Sequence, residues 1–415
     1  MFKKIAGTKD ILPLEATQWQ SLEDAARKIF ELYNYRQIRL PAIEEAALFD
    51  RSLGDSTEIV QKQMFLIKHG ADVFALRPEG TAGVVRAYIE NQLDKTEGFI
   101  KFYYTGPMFR LERPQKGRLR QFSHIGCEAI GSADPAIDAE LISLADCLLT
   151  EFGISGYKIK INTLGCAKDK KALADFLRKS LSKELGKLCA DCKIRYKKNV
   201  LRVLDCKEEA SRRLVRAIKL DQGHLCADCR DNFLEVRRYL DNLKVGYEFD
   251  PLLVRGLDYY TRTVFEISHP GLGAQDAVGA GGRYDNLLKE LGGPDQPACG
   301  FAFGVERLLL VASQKSEVTN KDLVFLIALG DKAKQESVKL LDALRKNNIS
   351  ADTDYENKSL KGAMRRANDL KAKFVLIIGD DELNKNVVTL KDMQSGSQEE
   401  VKMDGLLGRL INNDT

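Results

Sequence analysis

Apolar residues recur at helical spacing from Trp19 to Leu32, with Leu22, Ala25, Ala26, Ile29 and Phe30 on one side, and the spacing predicts an amphipathic helix. The segment Tyr35 to Ile43 reads as a strand, in which Pro41 has no backbone N–H to donate and belongs at a bend or an edge. Such a helix and strand suit the core of one subunit or the packing of two copies across a two-fold axis. Val73 to Arg77 predicts a short strand, followed by the turn Pro78, Glu79, Gly80, Thr81 and a helix from Ala82 to Asn91 that Thr81 would cap. Glu79, next to a proline in that turn, is a candidate ligand carboxylate; a solvated turn residue is the plainer alternative.

Phe102 to Gly131 reads as two strand-like arms, rich in aromatic and branched residues, around a loop from Leu111 to Arg120 that carries Arg113, Lys116, Arg118 and Arg120. The loop holds too much positive charge to bury, and guanidinium forks match phosphate oxygens. Its expected partner is a polyphosphate. If the second arm is regular, Phe122, His124 and Glu128 share one face, with Arg110 ending the first arm beside the loop. A cationic clamp and an acid within one hairpin suit an anionic nucleotide beside a small molecule bearing hydrogen-bond donors. An exposed hairpin with a solvated charge run is the alternative.

Helical spacing returns from Ile137 to Glu151, and Tyr157 to Leu164 reads as a strand. From Cys166 to about Tyr247 the texture changes to charged helices, read as an inserted domain. Strand signals resume in Leu252 to His269 and in VGAGGRYDNLL from Val278, and the apolar run from Cys299 passes from strand to helix near Gly304. Beyond Lys321 the order is strand, helix, strand, helix, strand, then VVTLKDM and a last helix, which indicates a separate small α/β domain.

The length of 415 residues suggests two to four domains. Lys and Arg number 64 against 60 Asp and Glu, a net charge of +4, so any electrostatic footprint is local. The chain has no apolar run long enough to span a bilayer, and its basic start has no apolar signal core, which predicts a soluble intracellular protein. Nine cysteines without a secretory signal argue for reduced thiols or metal ligands over a disulfide framework. Cys189 and Cys192, the lone Cys206, then Cys226 and Cys229 form two CxxC knuckles that would surround one structural zinc, with Cys206 or His224 able to replace a ligand. Free reduced thiols are the alternative.

Arg255, in LVRGLDYYTRTVFEI, and Arg307, in GVER, each lie near an apolar strand and need an acceptor, because guanidinium does not shed its charge. Internal ion pairs to Glu306, Asp258 or Glu266 would meet that need without any ligand.

Taken together, these segments resemble the class II aminoacyl-tRNA synthetases, and the histidyl enzymes within them, nearly end to end. RLPAIE is similar to motif 1, TGPMFRLERPQKGRLRQF to motif 2 and GFAFGVERL to motif 3; IAGTKDILP, RPEGT, RGLDYYTRTVFE and AGGRYDNLL resemble segments particular to the histidyl members. The resemblance implies an α+β fold with an antiparallel sheet flanked by helices, a catalytic core over 1–165 and 248–318, an insert over 166–247 and an anticodon-binding domain over 321–415. It implies a cytoplasmic homodimer that activates histidine with ATP and Mg2+ and passes it to tRNA(His).

By the same resemblance, Arg110 and Arg255 are catalytic; Arg110, Glu112, Arg118 and Arg307 bind ATP; and Glu79, Gly80, Thr81, His124, Glu128, Arg255, Tyr259, Tyr260 and Tyr284 bind histidine. The family usually has glutamine where this chain has His124, so the ring is expected to stay neutral, or Glu79 to carry the ammonium contact alone. Arg113, Lys116 and Arg120 would meet the acceptor end of tRNA. On one helix of the last domain Lys361 and Arg365, with Lys358 and Arg366, would approach the anticodon stem. The rival reading is a synthetase-like regulatory subunit of ATP phosphoribosyltransferase. Such paralogues typically lack the last domain and erode the arginines that this chain keeps. Another class II synthetase is argued against by RGLDYYTRTVFE and Glu128.

Overall fold

The computed structural model describes residues 2–54, 57–273, 276–312 and 322–411. The chain divides into two compact units, residues 1–316 and 317–415.

The first unit is built on an eight-stranded sheet. Its strands run in the spatial order Arg36–Gln37, Ile100–Phe109, Gln121–Ile130, Ala298–Gly304, Ala277–Arg283, Thr261–Ser268, Lys158–Thr163, Glu248–Phe249. All pairings are antiparallel except the outermost one on each edge. Period-two alternation sorts the side chains between two cores. Along Gln121–Ile130, Ile125, Cys127 and Ala129 enter a core with Trp19, Phe30, Leu144, Leu148 and Phe233, under the helices Pro13–Leu32, Pro135–Glu151 and Ala227–Asn242. Phe122, His124 and Glu128 take the opposite face, as the pattern predicted.

Differences from the sequence reading have local causes. The first helix begins at Pro13, earlier than its apolar stripe, with proline in the first turn where its missing N–H costs nothing. Tyr35 to Ile43 does not form one strand. It yields only Arg36–Gln37 and, after Pro41, Ile43–Glu45, which joins a separate three-stranded sheet with Phe65–His69 and Asp72–Leu76. Of Leu252 to His269, only Thr261–Ser268 is a strand. The helical segments between Ala167 and Arg216 share a buried core with the sheet's site face: Leu173, Leu177 and Val203 belong to the same cluster as Tyr104, Tyr259 and Tyr284.

The second unit has a five-stranded sheet in the order Ala351–Thr353, Val324–Ala328, Phe374–Ile378, Val387–Asp392, Gln398–Lys402. The last strand carries no apolar alternation to announce it, since Gln398, Glu399 and Glu400 are polar and exposed.

Candidate active site

The site begins with a buried carboxylate. Glu128 lies between Phe102 and Gly300 on the neighbouring strands, where a Cβ on Gly300 would stand 1.7 Å from Glu128 Oε2. Only glycine leaves room for that side chain. Three hydroxyls donate to it: Thr81 Oγ1 to Oε1 at 2.7 Å, Tyr104 to Oε1 at 3.2 Å, and Tyr284 to Oε2. Burial, with a smaller push from the nearby Glu79, raises Glu128 to about 8 even though these donors pull the other way.

Glu79 is held by the turn before the helix Thr81–Glu90. Its carboxylate accepts from the Thr81 N–H at 2.6 Å and the Ala82 N–H at 2.8 Å. Glu79 thus does the capping expected of Thr81, which is the first helical residue and turns its hydroxyl to Glu128. Gly80 admits the Tyr104 ring, whose carbons would lie 2.4 Å from any Cβ there. Tyr259 packs against Tyr260 and Tyr284 with ring centroids 4.7 and 5.4 Å apart.

Arg110, Arg255 and Arg307, distant in sequence, line one cavity of about 260 Å³, together with Glu79, Thr81, Glu112, Arg118, His124, Tyr259, Tyr260 and Tyr284. Arg110 donates through Nε to the Pro78 carbonyl at 2.9 Å and lies over the Phe122 ring, 5.2 Å from its centroid. Glu112 stands 3.2 Å from Arg118 and 3.9 Å from Arg110. Arg255 forms the expected internal pair with Glu266, yet its Nε–H is buried with no acceptor among the described residues. Arg307 donates to the carbonyls of Gly117, at 3.0 Å, and Ala277. Glu306 accepts from the Ser123 N–H at 3.0 Å.

His124 sits between Gly106 and Gly304 on the adjacent strands. Burial, with Arg110 and Arg77 nearby, lowers it to about 3, so the ring is neutral at ordinary pH. Its Nδ1 is buried without a partner among the described residues. Two orphaned buried polar atoms, Arg255 Nε and His124 Nδ1, therefore belong to residues around one cavity. Leaving such a group unmet costs roughly 1–3 kcal/mol, which a polar ligand would offset.

Arg113 and Lys116 are exposed on the loop, whereas Arg120 turns inward to the carbonyls of Ala6 and Glu112. Lys361 and Arg365 are exposed on the helix Leu360–Asp369. The cysteines depart from the reading of a single zinc. The knuckle Cys189–Cys192 gathers Cys206, while Cys226 and Cys229 join Cys166 and Asp169 in a separate cluster, and His224 is in neither. Each knuckle starts a different helix, which keeps the two apart. Sequence reasoning missed Tyr104, a hydrogen-bond partner of Glu128. Its signal is positional: Tyr104 lies opposite Gly126, two residue pairs along the ladder from Glu128 and on the same face.

An antiparallel sheet carrying arginines from a hairpin loop and from a strand-to-helix junction around one cavity is the core of a class II aminoacyl-tRNA synthetase. Residues 7–308 match the family model of histidyl-tRNA synthetase, and residues 323–413 match that of an anticodon binding domain. A histidine–tRNA ligase of Syntrophotalea carbinolica is 44% identical over 408 residues, 98% of this chain and 97% of that protein. One from Geobacter sulfurreducens is 45% identical, over 97% of this chain and 98% of its own length. Apo histidyl-tRNA synthetase of Staphylococcus aureus superposes with a TM-score of 0.81 at 36% identity, covering 99% of this chain and 100% of that one. An ATP phosphoribosyltransferase regulatory subunit/histidyl-tRNA synthetase from Bacillus halodurans, 21% identical with a TM-score of 0.67, shares the fold alone. The chain belongs to the histidyl-tRNA synthetase family, and its activity is that of a histidine–tRNA ligase.

Proposed function

We propose that the cavity around Arg110, Arg255 and Arg307 binds ATP and histidine side by side and forms histidyl-adenylate. A histidine carboxylate oxygen attacks the α-phosphorus, the bond to the β-phosphate oxygen breaks, and pyrophosphate leaves; the terminal ribose hydroxyl of tRNA(His) then takes the acyl group and AMP leaves. In-line attack spreads charge over the equatorial oxygens, so the residues act by placement and electrostatic stabilisation. Arg110 and Arg255 contact the α-phosphate from opposite sides, Arg255 close to the histidine carboxylate, and Arg307 holds the γ-phosphate end. Mg2+ bound with ATP would neutralise phosphate charge. Glu112 and Glu306, two of the three carboxylates that line the cavity, offer the donor type that ion takes.

Glu128 reads the imidazole. With its proton retained, it faces the ring's unprotonated nitrogen as a donor, and transfer of that proton to the ring gives a charge-assisted carboxylate–imidazolium pair. Glu79 and Thr81 receive the α-ammonium group, His124 offers a neutral acceptor beside them, and Tyr259, Tyr260 and Tyr284 close the pocket. A polar site of this kind rejects analogues without the ring nitrogens. Arg113 and Lys116 meet the acceptor end of tRNA, and Lys361 and Arg365 the anticodon stem, through salt-sensitive phosphate contacts.

The chain acts as a homodimer in the cytoplasm. The exposed apolar residues Ile43, Leu66, Ile67 and Val73 on the three-stranded sheet support pairing, and among the described residues no helix is long and apolar enough to cross a membrane. The observation that carries the residue assignments is the presence of the three arginines around one cavity. Histidine-dependent exchange of labelled pyrophosphate into ATP tests them. Arg110→Ala and Arg307→Ala should both lose exchange while retaining the wild-type circular dichroism, and full exchange in either would overturn its role.

A further inference from the structure

Outside the catalytic cavity, the ends of two helices that are far apart in sequence meet. Cys166 is the N-cap residue of Ala167–Leu181 and Cys226 that of Ala227–Asn242, and each helix presents a second ligand three residues on, Asp169 and Cys229. The four ligand atoms all lie within 4.8 Å of one another. Around a tetrahedral ion with metal–sulfur bonds of about 2.3 Å and a metal–oxygen bond of about 2.0–2.2 Å, the ligand–ligand edges are roughly 3.5–3.8 Å. Small side-chain rotations close that gap.

Asp169 is 3% exposed and oriented by the backbone of both ends. Its Oδ1 accepts from the Cys226 N–H at 3.0 Å and its Oδ2 from the Cys166 N–H at 3.2 Å. Each oxygen keeps a lone pair. Gly165, at φ +68°, permits the approach, since a Cβ there would stand 2.4 Å from Asp169 Cβ.

We propose that Cys166, Asp169, Cys226 and Cys229 hold one zinc ion that fastens these two helix ends together. Three thiolates with one carboxylate select zinc over magnesium or calcium, which take oxygen ligands. The cluster of Cys189, Cys192 and Cys206 offers three thiols among the described residues, with Cys189 Sγ and Cys206 Sγ 3.7 Å apart, and is not part of the assignment. None of the four ligands lines the catalytic cavity, so the metal fixes the insert and takes no part in the reaction.

The test is the metal content of the full-length protein purified without chelator, measured by plasma mass spectrometry beside two variants. Cys226→Ser should bind one zinc equivalent fewer per chain than the wild type, with histidine-dependent pyrophosphate exchange retained. Asp169→Cys should keep that equivalent and, in the cobalt-substituted protein, strengthen the thiolate-to-metal charge-transfer band relative to wild type. Wild-type protein without zinc, or Cys226→Ser with wild-type zinc content, would overturn the site. An unchanged cobalt spectrum in Asp169→Cys overturns it as well, whether or not Cys226→Ser folds.

Discussion

Thr81 Oγ1 donates to Glu128 Oε1 at 2.7 Å, joining the first residue of one helix to the middle of the sheet. Glu128 is 1% exposed and raised to about 8 from an ordinary value of 4.5. The folded protein then holds this proton through a range in which the unfolded chain has released it, so stability falls as pH rises from about 4.5 to about 8. Glu128→Gln removes that dependence. In denaturant titrations from pH 5 to 9, the variant should gain on the wild type as pH rises, by on the order of 1 kcal/mol per pH unit within the window. A difference between the two that stays constant with pH would show that Glu128 does not hold the proton.

Arg255 is paired with Glu266 while its Nε–H has no acceptor among the described residues. Arg255→Ala should abolish adenylate formation, losing far more than the roughly 1.5–3 kcal/mol of one charge-assisted hydrogen bond, because both substrates lose a contact. Glu266→Gln keeps the guanidinium but loosens it, so kcat should fall by about tenfold, equivalent to about 1.4 kcal/mol, with a smaller change in KM for histidine. Near-normal pyrophosphate exchange in Arg255→Ala would defeat its assignment.

Much of this site was legible because local patterns carried it. Alternation along Gln121–Ile130 put Phe122, His124 and Glu128 on one face without any knowledge of the partner strands. What stayed hidden depends on contacts between distant segments. The glycine that makes room for Glu128 is Gly300, and nothing near either residue in sequence announces the other. The cysteines show the same limit. Two identical CADC runs suggested one shared ion, but each run starts its own helix and meets different ligands. Strands also failed where charge replaced alternation, as in Gln398–Lys402, or where a proline cut the ladder, as at Pro41.

Gly300→Ala tests the room left for the acid. The added methyl would stand 1.7 Å from Glu128 Oε2 and 2.4 Å from the Cys127 carbonyl oxygen, and the backbone cannot yield within a paired strand. Overpacking of this kind costs roughly 1–3 kcal/mol. The variant should melt lower than the wild type, and in its folded fraction the KM for histidine should rise more than that for ATP. Equal rises in the two would mean that the cavity as a whole had been disturbed rather than the imidazole end.

His124 is lowered to about 3 by burial and by the charges of Arg110 and Arg77, so it does not titrate between pH 5 and 8. A flat pH response would therefore say nothing about whether it touches the substrate, and the assignment turns on substitutions. His124→Gln keeps a neutral acceptor of similar reach and should bind histidine within about threefold of wild type, a difference under about 1 kcal/mol. His124→Leu removes the acceptor and should weaken histidine binding by about tenfold, or about 1.4 kcal/mol, with ATP affinity unchanged. Calorimetric titration of each protein with histidine reads both effects. If His124→Leu binds histidine as tightly as the wild type, Glu79 carries the ammonium contact without help from the ring.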